Sequence, residues 1–230
     1  MPIWKALISL SLCLPLLANA EAPTAFSYQY GFTGAGIPFS ISATRSLRQI
    51  ENGQWQTELS AKNFLGSIRE ASTFQWEGCL PITSRYEYQR KGLGQSRSAI
   101  LTLQQKANTP TAVLQREGKS DREFDIKPDT IDMLALPLAI QCRLQENEQA
   151  PLEFHVASEK RHETLRFRIM GTEVVKTPAG EFKALRVERQ RKGNQRNTLM
   201  WFAPEHNYSL VRMKQEDGGS TYEMRLNKFS

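Results

Sequence analysis

The sequence is poor in the residues that most often carry catalysis or bind metals. It contains three histidines and three cysteines among 230 residues, and no two histidines have the spacing of a zinc-binding pair. It has no Gly-x-Ser-x-Gly nucleophile elbow and no phosphate-binding loop. Gly31, Gly34 and Gly36 do not have the spacing of a dinucleotide-binding motif, and a second alternating segment rather than a helix follows them. The sequence therefore predicts no catalytic residue, no cofactor and no metal site.

Long apolar runs are also scarce, and the longest lies at the N-terminus. Lys5 precedes the apolar residues 6–17, which are followed by the small residues Ala18-Asn19-Ala20. This order is typical of a secretory signal peptide. The run is shorter than the roughly 20 apolar residues that span a bilayer, so an uncleaved anchor is the weaker alternative. We predict that residues 1–20 are removed on export to the periplasm, which leaves residues 21–230 as one domain without a membrane span.

Two cysteines, Cys79 and Cys142, remain once the leader is removed. Two cysteines in an oxidising compartment predict one disulfide. It would close a loop of about 60 residues and stabilise the fold by about 4 kcal/mol in the chain-entropy description. Two separate buried thiols are the alternative, because buried cysteines behave as small apolar side chains.

Most of the remaining chain has apolar side chains at every second position. The clearest alternating runs begin at Phe26, Ile37, Trp55, Leu165 and Tyr222. Side chains of a strand point to its two faces in turn, so this pattern predicts an antiparallel sheet with one apolar face and one wet face. We expect the apolar residues, Trp55 and Phe167 among them, to lie inside.

Turn signals separate these runs. They are Asn52-Gly53, Pro178-Ala179-Gly180, Lys192-Gly193-Asn194 and Asp217-Gly218-Gly219, which are typical of hairpins and tight turns. Their spacing predicts about ten to twelve strands of ordinary length. A sheet of that size curls or closes, so we predict a mainly β protein with a single antiparallel curled sheet or a barrel-like domain. A two-sheet β-sandwich is the alternative.

Two segments depart from the alternation. Residues 129–144 predict one short helix that is capped by Asp129 and kinked or shortened by Pro137, with a buried strand as the alternative. Residues 119–127 are polar and of mixed charge, which predicts a loop or a strand end. The interior of such a sheet is either filled by side chains or wide enough for an apolar ligand.

The basic residues in excess of acidic ones lie in the C-terminal third of the chain. If these residues follow a hairpin that turns at Gly193, they form a basic stripe able to attract anionic lipid head groups or cell-wall polymers. The alternative is an arginine-rich edge that prevents strands of different molecules from pairing. The residues of this basic stripe are Lys183, Arg186, Arg189, Arg191, Lys192 and Arg196.

Several of these segments together resemble a known family. They are residues 166–173, 176–189, 201–204 and 217–218, with Tyr28, Gly34, Gly36, residues 72–74 and residues 81–88 upstream. In their order they resemble a family of exported bacterial envelope proteins, the domain-of-unknown-function family 3108. The resemblance implies an exported, mostly β protein of no established activity, and it carries no catalytic residues to assign to this chain.

These observations favour a non-catalytic periplasmic envelope protein. We expect it to bind a lipid or an envelope polymer through the apolar concave face of the sheet or through the basic stripe. A scaffold that binds a protein of an envelope complex through a sheet edge is the second hypothesis. A hydrolase whose residues converge only in space is the third. Nucleic acid is not an expected partner outside the cytoplasm.

Overall fold

A computed structural model describes residues 22–34, 37–64, 66–92, 95–191 and 196–229. In these ranges the chain forms fifteen strands, which belong to one sheet, and one α-helix. The strands are β1 (Phe26–Gly34), β2 (Ile37–Gln49), β3 (Trp55–Asn63), β4 (Gly66–Glu77), β5 (Leu80–Gly92), β6 (Gln95–Gln104), β7 (Thr111–Arg116), β8 (Lys119–Asp125), β9 (Ile131–Asp132), β10 (Leu152–Ala157), β11 (His162–Thr177), β12 (Gly180–Gln190), β13 (Arg196–Ala203), β14 (Ser209–Asp217) and β15 (Ser220–Phe229). The helix α1 is Leu136–Glu146.

The sheet consists of two meanders that meet at the first and last strands. From the middle of the sheet, strands β1 to β8 follow in order towards one edge. Strands β15 back to β9 follow in order towards the other edge. All neighbours are antiparallel except β9 and β10, which are parallel. The sheet is curled but not closed, since its two terminal strands, β8 and β9, do not pair with each other. The prediction of ten to twelve strands was therefore too low, because several hairpins are short and lack strong turn signals.

The apolar positions face the inside of the curl, as the alternation predicted. Trp55 and Phe167 are both buried, and Tyr30 and Leu226 lie in the centre of the main core. A second cluster lies between β5 and β8, and a third packs Leu47 of β2 against α1. The core is therefore spread along the concave face and is covered at one end by the helix.

The predicted turns at Asn52-Gly53, at residues 178–180 and at residues 217–219 join neighbouring strands of the two meanders. At the first of them, residues Glu51–Gly53 form a 3-10 turn in which both Asn52 and Gly53 have positive φ. The predicted turn at residues 192–194 lies outside the described residues.

The helix is shorter than predicted. It begins at Leu136, so Pro137 occupies the first turn, where the missing N–H loses no hydrogen bond. Residues Ile131–Asp132 form the short strand β9 instead of a first helical turn. Asp132 rather than Asp129 accepts hydrogen bonds from the amides before the helix. The expected helix and the expected buried strand thus each account for part of this segment.

Strand β8 corrects another expectation, because residues 119–127 were predicted to be a loop or a strand end. It pairs with β7 along most of its length. As an edge strand it has a neighbour on one side alone, and most of its side chains are exposed. Its sequence therefore lacks the strong apolar alternation of the central strands.

A disulfide links the two meanders through the helix. Cys79, in the turn between β4 and β5, is bonded to Cys142 of α1, with the Cα atoms 5.3 Å apart. Within the described ranges, α1 and the 3-10 turns are all too short or too polar to cross a bilayer as helices.

Candidate functional site

The described residues of the basic stripe do not form one free cationic surface. Arg186 and Arg189 are three positions apart on β12 and therefore point to opposite faces of the strand. Arg186 Nη1 lies 3.3 Å from Glu173 Oε2. Arg189 lies 3.1 Å from Glu163, and its side chain is 9% exposed. Lys183 is an exposed residue of β12, and Arg191 directly follows the end of this strand. Lys192 and the side chain of Arg196 lie outside the described residues.

A ladder of charged groups crosses the sheet from β11 to β15 instead. Trp201 Nε1 donates to Glu173 Oε1 at 2.5 Å, and the Arg212 guanidinium lies 4.5 Å from the centre of the Trp201 ring. Arg212 Nε donates to Glu223 at 2.5 Å. Burial favours a higher pKa for Glu223, but hydrogen bonds from Arg225 and Arg212 outweigh burial and hold the pKa of this carboxyl below its usual value. Each arginine of this ladder is paired with a carboxylate, and these ion pairs stabilise the sheet.

A cleft opens between α1 and the beginning of β1. Its volume is about 530 Å³, which lies within the range of small-molecule sites. Its lining comprises the apolar side chains of Phe26, Leu47, Trp76 and Leu138 and the polar groups of Gln141, Gln145, Asn207 and Ser209. A second cleft of about 550 Å³ shares Trp76 and lies towards Trp55 and the disulfide. Polar and apolar groups contribute about equally to the lining of the first cleft, which suits an amphipathic molecule.

The polar rim of the cleft is held by hydrogen bonds between the helix and the loop before β14. The side-chain amides of Gln141 and Gln145 donate to the carbonyl oxygen of Asn207 at 2.7 and 2.9 Å. The Asn207 backbone has positive φ, so its carbonyl turns towards the helix. Cys142 also lines the cleft, and its disulfide fixes α1 to the β4–β5 turn. The helix side of the cleft is therefore held both to the loop before β14 and to the β4–β5 turn.

A buried arginine lies beside this cleft. Arg45 of β2 is 4% exposed and pairs across the sheet with Tyr28 of β1. Its guanidinium lies 5.6 Å from the centre of the Phe26 ring, and its Nη2 has no hydrogen-bond partner among the residues described. Burial lowers the pKa of Arg45 and raises the pKa of the neighbouring Tyr30 to about 12.

Sequence reasoning missed Arg45 as a functional candidate, although the sequence carries a signal. Ile41, Ala43 and Leu47 occupy the inward positions of β2, and Arg45 stands in the same register. A charged residue at an apolar position of an alternating strand is unusual, because burying an ion is costly. Searching the alternating runs for such an interruption would have identified it.

The buried carboxylate of Asp132 is a second inward charge, and its role is structural. Its oxygens accept hydrogen bonds from the hydroxyls of Ser72 and Thr83 and from the amides of Leu134 and Ala135. Burial raises the pKa of Asp132. The carboxylate joins β9 and the start of α1 to β4 and β5 across the inside of the curl. Asp132 and Ser72 are inaccessible to solvent, so this pair has no access to a substrate.

One solved structure has a similar fold. A β-barrel-like protein of the domain-of-unknown-function family DUF1849 from Brucella abortus aligns with a TM-score of 0.57 at 10% identity, over 90% of this chain and 97% of that one. At this identity the similarity concerns the fold alone.

Two further structures align more weakly. A proposed lipoprotein from Parabacteroides distasonis aligns at 11% identity over 90% of this chain and 96% of its own, with a TM-score of 0.37. A proposed exported protein with a YmcC-like fold from Bacteroides fragilis aligns at 11% identity over 90% and 100%, with a TM-score of 0.34. Both scores are too low to support an argument.

The comparison with curated proteins yields no match. Comparison with protein families gives a match that covers residues 28–227, and its description is a protein of unknown function, DUF3108. The match includes all the segments from which the resemblance was recognised. The chain belongs to the DUF3108 family of proteins of unknown function.

Proposed function

We propose that this protein is a non-catalytic, exported envelope protein that binds an amphipathic lipid in the cleft beside α1. The observation that carries the proposal is the mixed composition of that cleft: Leu47, Trp76 and Leu138 contribute apolar groups to its lining, and Asn207 and Ser209 contribute polar groups. A lipid chain is stabilised by apolar burial, and the polar groups orient its head. The signal-like residues 1–20 support export to the periplasm.

The two other modes of binding have less support. The described arginines on β12 are paired with carboxylates, which weakens their attraction for an anionic polymer. The free edge strand β8 carries exposed charges, and Arg122 donates to the carbonyl oxygens of Glu159 and Lys160 at 3.0 Å. Charged edges resist pairing with another strand, so a scaffold that recruits partners through β8 is disfavoured.

Quenching of tryptophan fluorescence by a brominated fatty acid tests lipid binding in this cleft. In the predicted mature chain the tryptophans are Trp55, Trp76 and Trp201. Trp76 lines the cleft, whereas Trp201 lies in the charged ladder. A variant that retains Trp76 alone should be quenched strongly at saturation, and a variant that retains Trp201 alone should be quenched little.

Circular dichroism establishes that both variants are folded before they are compared. Mass spectrometry of the protein purified from an envelope extract provides a second readout, in which lipid should be present at a defined ratio to protein. Equal quenching of the two variants, or no quenching of either, contradicts binding in the cleft.

A further inference from the structure

We propose that Arg45 is the receptor for an acidic head group, a carboxylate or a phosphate, of the amphiphile that occupies the cleft. This inference rests on the proposed function and specifies its ligand class. The register between β1 and β2 places Arg45 opposite Tyr28.

Arg45 differs from the other largely buried arginines of the sheet in its partners. Arg189 is paired with Glu163, and Arg212 is paired with Glu223. In the described part of the chain Arg45 has no carboxylate within ion-pair distance. Its hydrogen-bond partner is the neutral hydroxyl of Tyr30, and its Nη2 is buried without an acceptor. The cost of removing a guanidinium from water is several kcal/mol. The ring of Phe26 offsets a part of that cost through a cation–π contact.

The position of Arg45 relative to the cleft fits a ligand whose head group enters before its aliphatic chain. Leu47 lines the cleft, and Arg45 is the next inward residue of the same strand, about 7 Å deeper in the curl. Tyr28, which is opposite Arg45, also lines the cleft. The aliphatic chain would then extend outward along Leu47 and Leu138 to Trp76.

The ring of Phe26 lies beside the Arg45 guanidinium. Its ring stacks on Tyr28 with centroids 4.4 Å apart and lies 5.6 Å from the Arg45 guanidinium. Phe26 is the first residue of β1 and is only half-buried, so we infer that a change of its side-chain rotamer moves the ring away from Arg45. The head group would replace this ring as the partner of the charge.

The chemistry around Arg45 selects an anion. A guanidinium presents parallel N–H donors that match a carboxylate or a phosphate in two hydrogen bonds. Tyr30 is already engaged, since its hydroxyl donates to the carbonyl oxygen of Leu210 at 2.8 Å. The hydroxyls of Tyr28 and Ser209 share one hydrogen bond of 3.5 Å at the cleft, so one of the two hydroxyls is left to donate to a further oxygen of the head group.

The test compares ligands that differ in head-group charge on the mature chain, residues 21–230. Oleate, oleyl alcohol and oleoyl lysophosphatidate are titrated below their critical micelle concentrations, and binding is followed by Trp76 fluorescence and by calorimetry. We expect wild-type protein to bind one or both anions at least about tenfold more tightly than the alcohol. The preferred anion identifies the head group as a carboxylate or a phosphate.

Variants assign the preference to Arg45. Arg45→Met should reduce anion affinity to that of the alcohol and leave binding of the alcohol unchanged. Arg48→Met is the matched control, because Arg48 lies on the same strand, is exposed and bonds Gln56 on the outer face. Arg45→Gln serves if the methionine variant does not fold.

Each outcome separates this inference from the proposed function. Equal affinity of wild-type protein for oleate, lysophosphatidate and oleyl alcohol overturns the role of Arg45 but leaves lipid binding intact. An anion preference that survives in folded Arg45→Met or Arg45→Gln protein also overturns it. If none of the three ligands binds, the proposed function itself fails.

Discussion

Replacement of Asp132 with alanine should destabilise the protein strongly, because this carboxylate joins distant strands across the inside of the curl. Four donors converge on it: the hydroxyls of Ser72 and Thr83 and the amides of Leu134 and Ala135. All these residues are buried, so water cannot easily take the place of the lost oxygens.

The loss of unfolding free energy depends on whether each of the four donors can find another acceptor. Thr83 Oγ1 lies 3.3 Å from the Pro81 carbonyl oxygen, so this hydroxyl can turn to another acceptor. The amides of Leu134 and Ala135 are fixed by the backbone before α1 and cannot turn. An orphaned buried donor costs about 1–3 kcal/mol. Two orphaned amides and the orphaned Ser72 hydroxyl, less the relief of removing a desolvated carboxylate, give a loss of about 3 kcal/mol for Asp132→Ala in urea unfolding.

Asp132→Asn is the matched control, and it also tests the pH dependence. An asparagine oxygen can accept from both amides while its NH₂ donates to the two hydroxyls, so we expect a loss within about 1 kcal/mol. Because burial raises the pKa of Asp132 in the folded state, the native state holds its proton to higher pH than the unfolded state, whose value is about 3.9. The contribution of Asp132 to stability is thus complete below that value and decreases as pH rises through the folded pKa.

The difference in unfolding free energy between wild type and Asp132→Asn, measured from acidic to neutral pH, should follow this decrease. Two results refute the reasoning: an Asp132→Ala protein as stable as wild type, or an asparagine variant that loses as much stability as the alanine variant. Either result would show that the four hydrogen bonds of Asp132 do not hold β9 and the start of α1 to β4 and β5.

Two further predictions concern the disulfide and a close backbone approach between β4 and β5. Replacing both Cys79 and Cys142 with alanine should lower the unfolding free energy by about 4 kcal/mol, since the disulfide closes a long loop; thermal unfolding of the oxidised wild type against the double variant measures this. Gly66→Ala should destabilise by more than about 2 kcal/mol, because its Cβ would lie 2.2 Å from the Lys91 carbonyl oxygen. Gly118→Ala, whose Cβ meets no atom within 4 Å, is the control and should cost about 1 kcal/mol in the same urea assay; equal losses would contradict the steric explanation.

The sheet was predictable from sequence because burial on one face imposes alternation on each central strand. Trp55 and Phe167 lie inside for this reason, and the hairpin at Asn52-Gly53 forms because these residues adopt positive φ readily. The strand count was not predictable, since an edge strand such as β8 needs few apolar residues. The parallel partner of β9 was not predictable either, because two residues carry no periodic signal.

The candidate site depends on contacts that no local pattern encodes. The cleft combines Trp76 of β4 with Leu138 of α1 and Asn207 before β14, residues that only the curl of the sheet and the disulfide bring together. The basic stripe was inferred from composition, which does not reveal that Arg186 and Arg189 face opposite sides or that acids from neighbouring strands neutralise them.

The pairing of β1 with β15 has a consequence for how the protein acquires its structure. Tyr28 is opposite Phe229, so the middle of the sheet is formed by the first and the last of the described strands. A chain that emerges with its N-terminus first can pair β1 with β2 and then add the following strands as they appear, but the pairing of β1 with β15 must wait until β15 has emerged. Until then each half exposes an unpaired strand, and a chaperone that shields β1 would protect the molecule during this interval.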